Sequence, residues 1–256
     1  SGSGDINETL TNTTTAPITV HYIFTVSANS CINLTTFDVA VVVNPSPVLS
    51  SSLSPPAICS GSTFSYTPAS NTSSTTFSWS RPAIAGITPV GPTSGSGNPN
   101  ETLTNTTNSY IDVTYIFTLT ANGCSNTQNV VVRVYPTPTV TPIANQSYCN
   151  GASVPVITIT GPVLNTQFAW SNDNTAIGLG ANGTGSVPAF TATNATASPI
   201  VATITITPTA NGCTGTQSKQ NTIQVTGTEF EMPLINEPEI PDFAVNITDF
   251  GAIRGG

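Results

Sequence analysis

Apolar and polar residues alternate along most of this chain with a period of two. In residues 18–26 every second side chain is apolar, and residues 111–119 repeat the alternation with the same parity. Valines occupy every second position again in residues 39–43 and 130–134. Such alternation is typical of strands with one buried face, and no segment shows the helical period. The pattern predicts an all-β protein.

The chain also contains internal repeats. The segment SGSGDINETLTNTT (residues 1–14) returns 93 residues later as SGSGNPNETLTNTT. CSG followed by FSWS in residues 59–80 returns as CNG followed by FAWS in residues 149–171. Repetition of this kind sets the domain organisation. We interpret the chain as the back half of a truncated repeat (1–45, the half repeat), a complete repeat (48–136, the second repeat), a more divergent complete repeat (139–226, the third repeat) and a tail (227–256).

Several short strands in each repeat, separated by Gly, Pro, Asn and Ser, predict tandem β-sandwiches of the Ig-like type. Trp79 and Trp170 are expected in the cores, since they share parity with Phe77 and Phe168. The linkers NPSP and YPTP are short and proline-spaced. Such segments are stiff, so the repeats are expected to form an extended array. An irregular tail would follow.

The five cysteines fit the repeat pattern. Cys59 and Cys124 are separated by 65 residues, and Cys149 and Cys213 by 64. These matching separations predict the bridges Cys59–Cys124 and Cys149–Cys213, each closing its own sandwich. Cys31 is expected to be unpaired by truncation, because its partner would precede the first residue. Disulfides indicate a compartment outside the cytoplasm.

Composition excludes several kinds of function. Only 6% of the 256 residues are charged, against about 25% in soluble domains. A net charge of −8 with four basic residues does not suit binding to nucleic acid or to an anionic membrane. No apolar run of about 18 residues predicts a membrane span, and no signal peptide is recognisable at the start. The chain is interpreted as a mature protein or an internal piece.

No catalytic, cofactor or metal site is predicted. His21 is the only histidine and falls on the outward face of its strand. Without a second histidine, and with the cysteines of the complete repeats in bridges, neither a triad nor a zinc site is expected, and no two carboxylates share a motif suited to glycoside cleavage. Asp173, within Asn-Asp-Asn, could contribute to a calcium site, although a polar turn is favoured. Regular threonine rows on the strands resemble ice-binding surfaces, but solubility is their commoner use.

The tail differs from the repeats. Half of the twelve acidic residues lie within it, together with three prolines and many apolar residues. A disordered linker and a docking segment that orders on a partner are both open interpretations. The candidate docking residues are Phe230, Leu234, Ile240, Phe243, Val245, Ile247 and Phe250.

The strings ICSGSTFSYTP, TTFSWSRPAIAGI and YIFTLTANGC, with the Val-rich strand and Pro-Thr-Pro linker that follow, resemble the PKD-like repeats of giant surface proteins in Bacteroidota. These proteins are exported by the type IX secretion system and include gliding-motility adhesins. The resemblance covers residues 1–226. It implies a non-catalytic stalk or adhesive region at the cell surface, attached to the outer membrane, without cofactors.

The resemblance also implies partners. An outer-membrane anchor or a protein of the secretion or gliding machinery would bind the tail, and an external surface or polysaccharide would be the adhesive ligand. Two other functions stay open. Uncharged polar loops at residues 91–100 and 171–185 could make the sandwiches a polysaccharide-binding module, or the chain could be an accessory region of a secreted enzyme.

Overall fold

The computed structural model describes residues 2, 4–216 and 218–227. Within them the chain forms twenty strands and a single 3-10 turn at Thr175–Ile177. The strands are β1 Ile18–Phe24, β2 Ser27–Ala28, β3 Cys31–Ile32, β4 Phe37–Val43, β5 Ile58–Cys59, β6 Ser62–Ser65, β7 Thr76–Arg81, β8 Ile87–Thr88, β9 Thr93–Ser96, β10 Asn100–Asn105, β11 Ile111–Ala121, β12 Cys124–Tyr135, β13 Gln146–Cys149, β14 Ser153–Val154, β15 Gln167–Asn172, β16 Asn182–Thr184, β17 Phe190–Thr191, β18 Ile200–Ala210, β19 Cys213–Thr214 and β20 Ser218–Thr226.

The second repeat is a sandwich of two sheets. One sheet has the order β6-β10-β8, and the other has the order β5-β12-β11-β7-β9. Its longest element is the hairpin of β11 and β12, in which Ile111 is opposite Val134 and Ala121 is opposite Cys124. β5 is the exception to the antiparallel pairing, because it lies parallel to the end of β12. The prediction of all-β, Ig-like sandwiches is confirmed.

Every second side chain of the β11–β12 hairpin points into the core of the second repeat. The inward residues of β11 and β12 pack against residues of the opposite sheet: Val113, Tyr115, Phe117, Leu119, Val130, Val132 and Val134 meet Phe64, Ile87 and Leu103. The two tryptophans are core residues, as expected, with 9% of Trp79 and 5% of Trp170 exposed. Each ring lies on a glycine of the neighbouring strand, and a Cβ at Gly95 would be 2.8 Å from the ring of Trp79.

The third repeat keeps this plan with less regular edges. Its larger sheet has the order β13-β20-β18-β15-β16, with β19 added beside β18, and β14 pairs with β17 on the other side. Ile204, Ile206, Ile223 and Val225 lie in its core with Trp170. The divergent sequence therefore preserves the buried face of each long strand.

The half repeat shows the same hairpin without a covering sheet. β1 and β4 pair with Ile18 opposite Val43, which matches the register of β11 and β12. Its would-be core residues are nevertheless open, with 49% of Val39 and 37% of Val41 exposed. Among the described residues before the second repeat, no further sheet covers this face. The predicted half-buried strands are thus present with their inner face uncovered.

In each repeat one asparagine side chain forms hydrogen bonds with the backbone near the end of the last strand. Asn105, which is 5% exposed, donates from Nδ2 to the carbonyls of Ser109 (2.7 Å) and Val134 (2.9 Å). Its Oδ1 accepts from the backbone N–H and the hydroxyl of Thr107. Asn12 and Asn194 make the equivalent bonds in their own repeats. We call this arrangement the asparagine corner.

The disulfide pairing differs from the prediction. Cys59 is bonded to Cys213 of the third repeat, with their Cα atoms 5.6 Å apart and 154 residues between them in sequence. Cys31, Cys124 and Cys149 are free. The predicted bridges Cys59–Cys124 and Cys149–Cys213 are therefore wrong.

Strand geometry explains the error. Cys59 is opposite Tyr135 at the end of β12, whereas Cys124 begins the same strand, so about eleven strand residues, or roughly 37 Å, separate them. A disulfide requires Cα atoms within about 7 Å. Cys149 likewise lies opposite Thr226, at the end of β20, far from the hairpin that carries Cys213. The two cysteines of one repeat are at opposite ends of the sandwich.

Candidate functional site at the repeat junction

Each complete repeat has an entry end, where the chain arrives, and an exit end, where it leaves. In the second repeat the turn between β11 and β12 lies at the entry end, because Asn126 in β12 donates from Nδ2 to the carbonyl of Pro47, 3.0 Å away. The exit end is marked by Tyr135, and Ser60 donates its backbone N–H to the Tyr135 carbonyl over 2.8 Å. A front cysteine (Cys59 or Cys149) therefore lies at an exit end. A hairpin cysteine (Cys31, Cys124 or Cys213) follows the turn at an entry end.

The linker between the second and third repeats brings two such ends together. Only Pro136, Thr137 and Pro138 follow β12 before the third repeat begins. Gly215, two residues after Cys213, lies against the backbone of Pro138, and any Cβ there would collide with the Pro138 carbonyl. The short proline linker thus places the hairpin of the third repeat beside the exit end of the second. The Cys59–Cys213 bridge closes this junction covalently.

The preceding junction has the same arrangement. Asn44, the residue after β4, donates from Nδ2 to the carbonyl of Asn122, 2.8 Å away. Asn122 belongs to the β11–β12 turn and lies two residues before Cys124. The exit end of the half repeat therefore contacts the entry end of the second repeat, as at the next junction.

A charged cluster lies within the second repeat. The guanidinium of Arg81, whose side chain is 0% exposed, donates to the Glu101 carboxylate from Nε (3.1 Å) and Nη2 (3.3 Å). Tyr115 donates its hydroxyl to the same carboxylate over 2.6 Å. Burial disfavours the charged carboxylate and by itself would raise the pKa of Glu101. The hydrogen bonds from Arg81 and Tyr115 outweigh this effect and hold the pKa below its ordinary value. Burial, and then the bond to Glu101, raises the pKa of Tyr115.

This cluster is structural, since its charged groups are directed at one another. In the third repeat the equivalent positions are Asn172, Phe190 and Ile204, and the half repeat keeps only the Glu8–Tyr22 hydrogen bond. Asn172 donates instead to the carbonyls of Leu179 and Gly180. A buried ion pair has thus been exchanged for an amide and apolar packing, with the sandwich preserved.

The other predicted positions occupy the surface. His21 is exposed, as expected, and its Nδ1 lies 2.8 Å from the Asp38 carboxylate. Asp173 accepts the backbone N–H of Thr203 over 2.6 Å, which is a polar turn. Across residues 4–216 and 218–227 the structure contains no group of three acidic, His or Cys side chains suited to a metal. The docking residues predicted in the tail lie outside the described residues.

Two polar loops are candidates for binding polysaccharide. Residues 91–100 contain β9, and residues 171–185 contain the 3-10 turn and β16. A shallow depression of about 570 Å³ touches the second loop only through Thr184 and Gly185. Phe168 and Thr166 line its other side. None of the helical segments in the described chain is long and apolar enough to cross a membrane.

Residues 56–138 match the PKD-like domain family. The matched segment coincides closely with the second repeat and includes Cys59, the charged cluster and the asparagine corner. This part of the chain is similar to PKD-like domains. No curated protein matches the sequence.

Several solved structures match this chain at low identity. DIP-gamma IG1+IG2 has 8% identity and a TM-score of 0.38, covering 73% of this chain and 99% of that chain. Drosophila N-cadherin EC1-3 has 14% identity and a TM-score of 0.28, covering 75% and 74%. Drosophila OTK extracellular domains 3-5 have 11% identity and a TM-score of 0.35, covering 76% and 67%. Because these TM-scores are below 0.5, the fold assignment depends on the strand pairing described above.

Sequence reasoning missed three features of the site. The charged cluster was missed because a buried arginine has no signature in sequence, and its carboxylate is twenty residues away. The asparagine corner did leave a signal, since Asn-Xaa-Thr recurs at the same position in all three repeats. The junction bridge was missed because residue spacing does not reveal which end of a sandwich a cysteine occupies.

Proposed function

We propose that this chain is a non-catalytic stalk, in which PKD-like sandwiches are joined end to end and hold an adhesive part of the protein away from the cell. The observation that carries the proposal is the Cys59–Cys213 bridge across the junction. A bridge within one sandwich would only stabilise that sandwich, whereas a bridge between two restricts how they bend against each other. Its effect is thus on the geometry of the array.

The linkers support the same function. Proline fixes φ and restricts the residue before it, so the two proline-spaced junctions have few backbone conformations. At each one, a hairpin of the next repeat contacts the linker or the exit end, through Asn44 and Asn122 or through Gly215 and Pro138. At both junctions these contacts therefore restrict the movement of one repeat relative to the next.

The location follows from the chemistry of the bridge. Structural disulfides persist in oxidising compartments, and the PKD-like domain carries one here, so the chain is extracellular. We further propose that the parent protein is a surface adhesin of the type IX-secreted, gliding-motility kind, attached to the outer membrane. The tail would bind its anchor or the secretion or gliding machinery, and the adhesive ligand would be an external surface or polysaccharide.

Small-angle scattering tests the stalk proposal. For two complete sandwiches of about 40 Å each, the maximum dimension should be near 80 Å or more. The double variant Cys59→Ser/Cys213→Ser should keep both sandwiches folded but show a broader distribution of interatomic distances. Cys31→Ser is the matched control and should scatter like the unmodified chain.

Two outcomes would refute the stalk. A compact, near-spherical particle for the unmodified chain would contradict an end-to-end arrangement. An unchanged distance distribution in the double variant would mean that the bridge does not restrict the junction. Glycan binding by the unmodified chain, lost on changing the 171–185 loop, would instead favour the polysaccharide-binding function.

A further inference from the structure

We infer that Cys124 and Cys149 are attachment points for neighbouring repeats, so that every junction in an array of these repeats carries one disulfide from a front cysteine to the next hairpin cysteine. The partner of Cys124 would be a front cysteine. The partner of Cys149 would be the hairpin cysteine of another repeat of this kind, beyond the tail or on another molecule, since the tail follows β20 directly. This inference extends the stalk proposal to the neighbours of the described repeats. The experiment that tests it measures which cysteines are bonded and does not depend on how stiff the junction is.

Cys124 and Cys149 occupy positions equivalent to those of the two bonded cysteines. Cys124 follows the β11–β12 turn as Cys213 follows the turn after β18, each opposite an alanine, Ala121 or Ala210. Cys149 lies opposite the last residue of β20 as Cys59 lies opposite the last residue of β12. One member of each equivalent pair is bonded across the junction. The other member is free in the same setting.

The preceding junction already makes a contact beside Cys124. A front cysteine in a completed first repeat would lie opposite Asn44, because Val43 in β4 corresponds to Val134 in β12 by register. Asn44 itself is hydrogen-bonded to Asn122, 2.8 Å away and two residues from Cys124. A cysteine at that position would therefore be placed next to the thiol that it is proposed to bond.

Exposure fits this role. Cys149 is exposed and Cys124 is half-buried, whereas a cysteine with only a packing role is usually buried. The unbonded front cysteine is thus open at the exit end. Cys31, the exposed hairpin cysteine of the half repeat, would have the same role one junction earlier.

Bond formation requires an oxidant of the disulfide class. Oxidised glutathione or a disulfide oxidoreductase accepts the two electrons by thiol–disulfide exchange. One protein thiolate attacks the donor disulfide and releases one thiol. The second protein thiolate then attacks the mixed disulfide and releases the other, so two protein thiols lose two protons and two electrons in total.

The internal repeat allows a direct test. Residue 94 corresponds to residue 1, so residues 48–93 placed before the full chain regenerate a complete first repeat with a copied front cysteine. After refolding in a glutathione redox buffer, non-reducing peptide mapping should find the copied cysteine bonded to Cys124, with Cys59–Cys213 retained. Of six cysteines, two should then react with Ellman's reagent, where four would react if no new bridge formed. With Cys124→Ser the new link should be lost, and with Cys31→Ser it should remain.

A link from the copied cysteine to Cys31 would overturn the inference, because that is closure within one repeat. A free copied cysteine would also overturn it if amide exchange shows that β1 and β4 have become protected. If the added segment does not fold, a second variant, made in the chain without the added segment, still tests the inference. In Cys213→Ser, Cys59 should remain free, and its pairing with Cys124 would refute the junction rule.

Discussion

The asparagine corner gives the sharpest quantitative prediction. In Asn105→Ala the buried carbonyl of Val134 loses its 2.9 Å bond, the carbonyl of Ser109 loses its 2.7 Å bond, and the N–H of Thr107 loses its acceptor. A net contribution near 1 kcal/mol for each bond, with one partner left buried, gives a loss of about 3 kcal/mol. Amide exchange in β11 and β12 that proceeds through global unfolding of the repeat should then accelerate about 150-fold.

Asn105→Asp separates hydrogen bonding from packing. Aspartate keeps the shape of the side chain and its acceptor oxygen. Its second oxygen, however, replaces the NH2 group that donates to the carbonyls of Ser109 and Val134, and it brings a charge that is poorly solvated. We therefore expect it to destabilise the repeat more than alanine does. β18 in the third repeat is the internal reference, and Asn98→Ala, which removes one exposed side-chain bond, is the control. The reasoning is refuted if Asn105→Ala changes exchange less than about 5-fold, equivalent to 1 kcal/mol, or if aspartate is the milder change.

Three further predictions concern the Arg81–Glu101 ion pair, the packing of Trp79 on Gly95, and the tail. Glu101→Gln leaves Arg81 buried without a counter-charge and should cost the second repeat about 3–5 kcal/mol at pH 7 in urea denaturation. Since the pKa of Glu101 is lowered by folding, its stabilisation is present above about pH 4.3, the unfolded value, and is lost at lower pH as the folded carboxylate protonates. In Glu101→Gln the stability of the repeat should not fall in this way at low pH. If both proteins lose the same stability on acidification, groups other than Glu101 cause the loss. Gly95→Ala places a methyl group against Trp79 and should cost about 1–3 kcal/mol, measured by the shift in the urea midpoint; no shift would mean that the ring moves freely. Residues 229–253 should exchange their amides fast in the isolated chain and slowly once the proposed outer-membrane anchor is added, and slow exchange without a partner would contradict docking.

The strands were predictable because burial imposes a period of two on the sequence. Four of the five residues expected to face inward in β11 are wholly buried, among them Val113 and Tyr115, and Ile111 at the start of the strand is partly buried. The same pattern in β1 and β4 did not guarantee burial, because a hairpin supplies only one side of a sandwich. Alternation thus identifies the face of a strand, while coverage depends on residues elsewhere in the chain.

The bridge was less predictable because it depends on three-dimensional direction. Cysteines 65 residues apart can be adjacent or at opposite ends, according to which end of β12 the short strand β5 joins. Parallel pairing with the last residues of β12 places Cys59 at the exit end. The sequence signals for that pairing are weak, since β5 has only two residues.

The bridge between Cys59 and Cys213 also determines how tension would pass along the chain. When the two ends are pulled apart, the load travels through residues 48–59, crosses the disulfide, and continues through residues 213–226 into the tail. Residues 60–212 lie off this path, although they make up most of both sandwiches. If either core gave way under load, about 500 Å of contour length enclosed by the bridge would stay locked. The greatest extension of these repeats is therefore limited by a covalent bond and not by the stability of their cores.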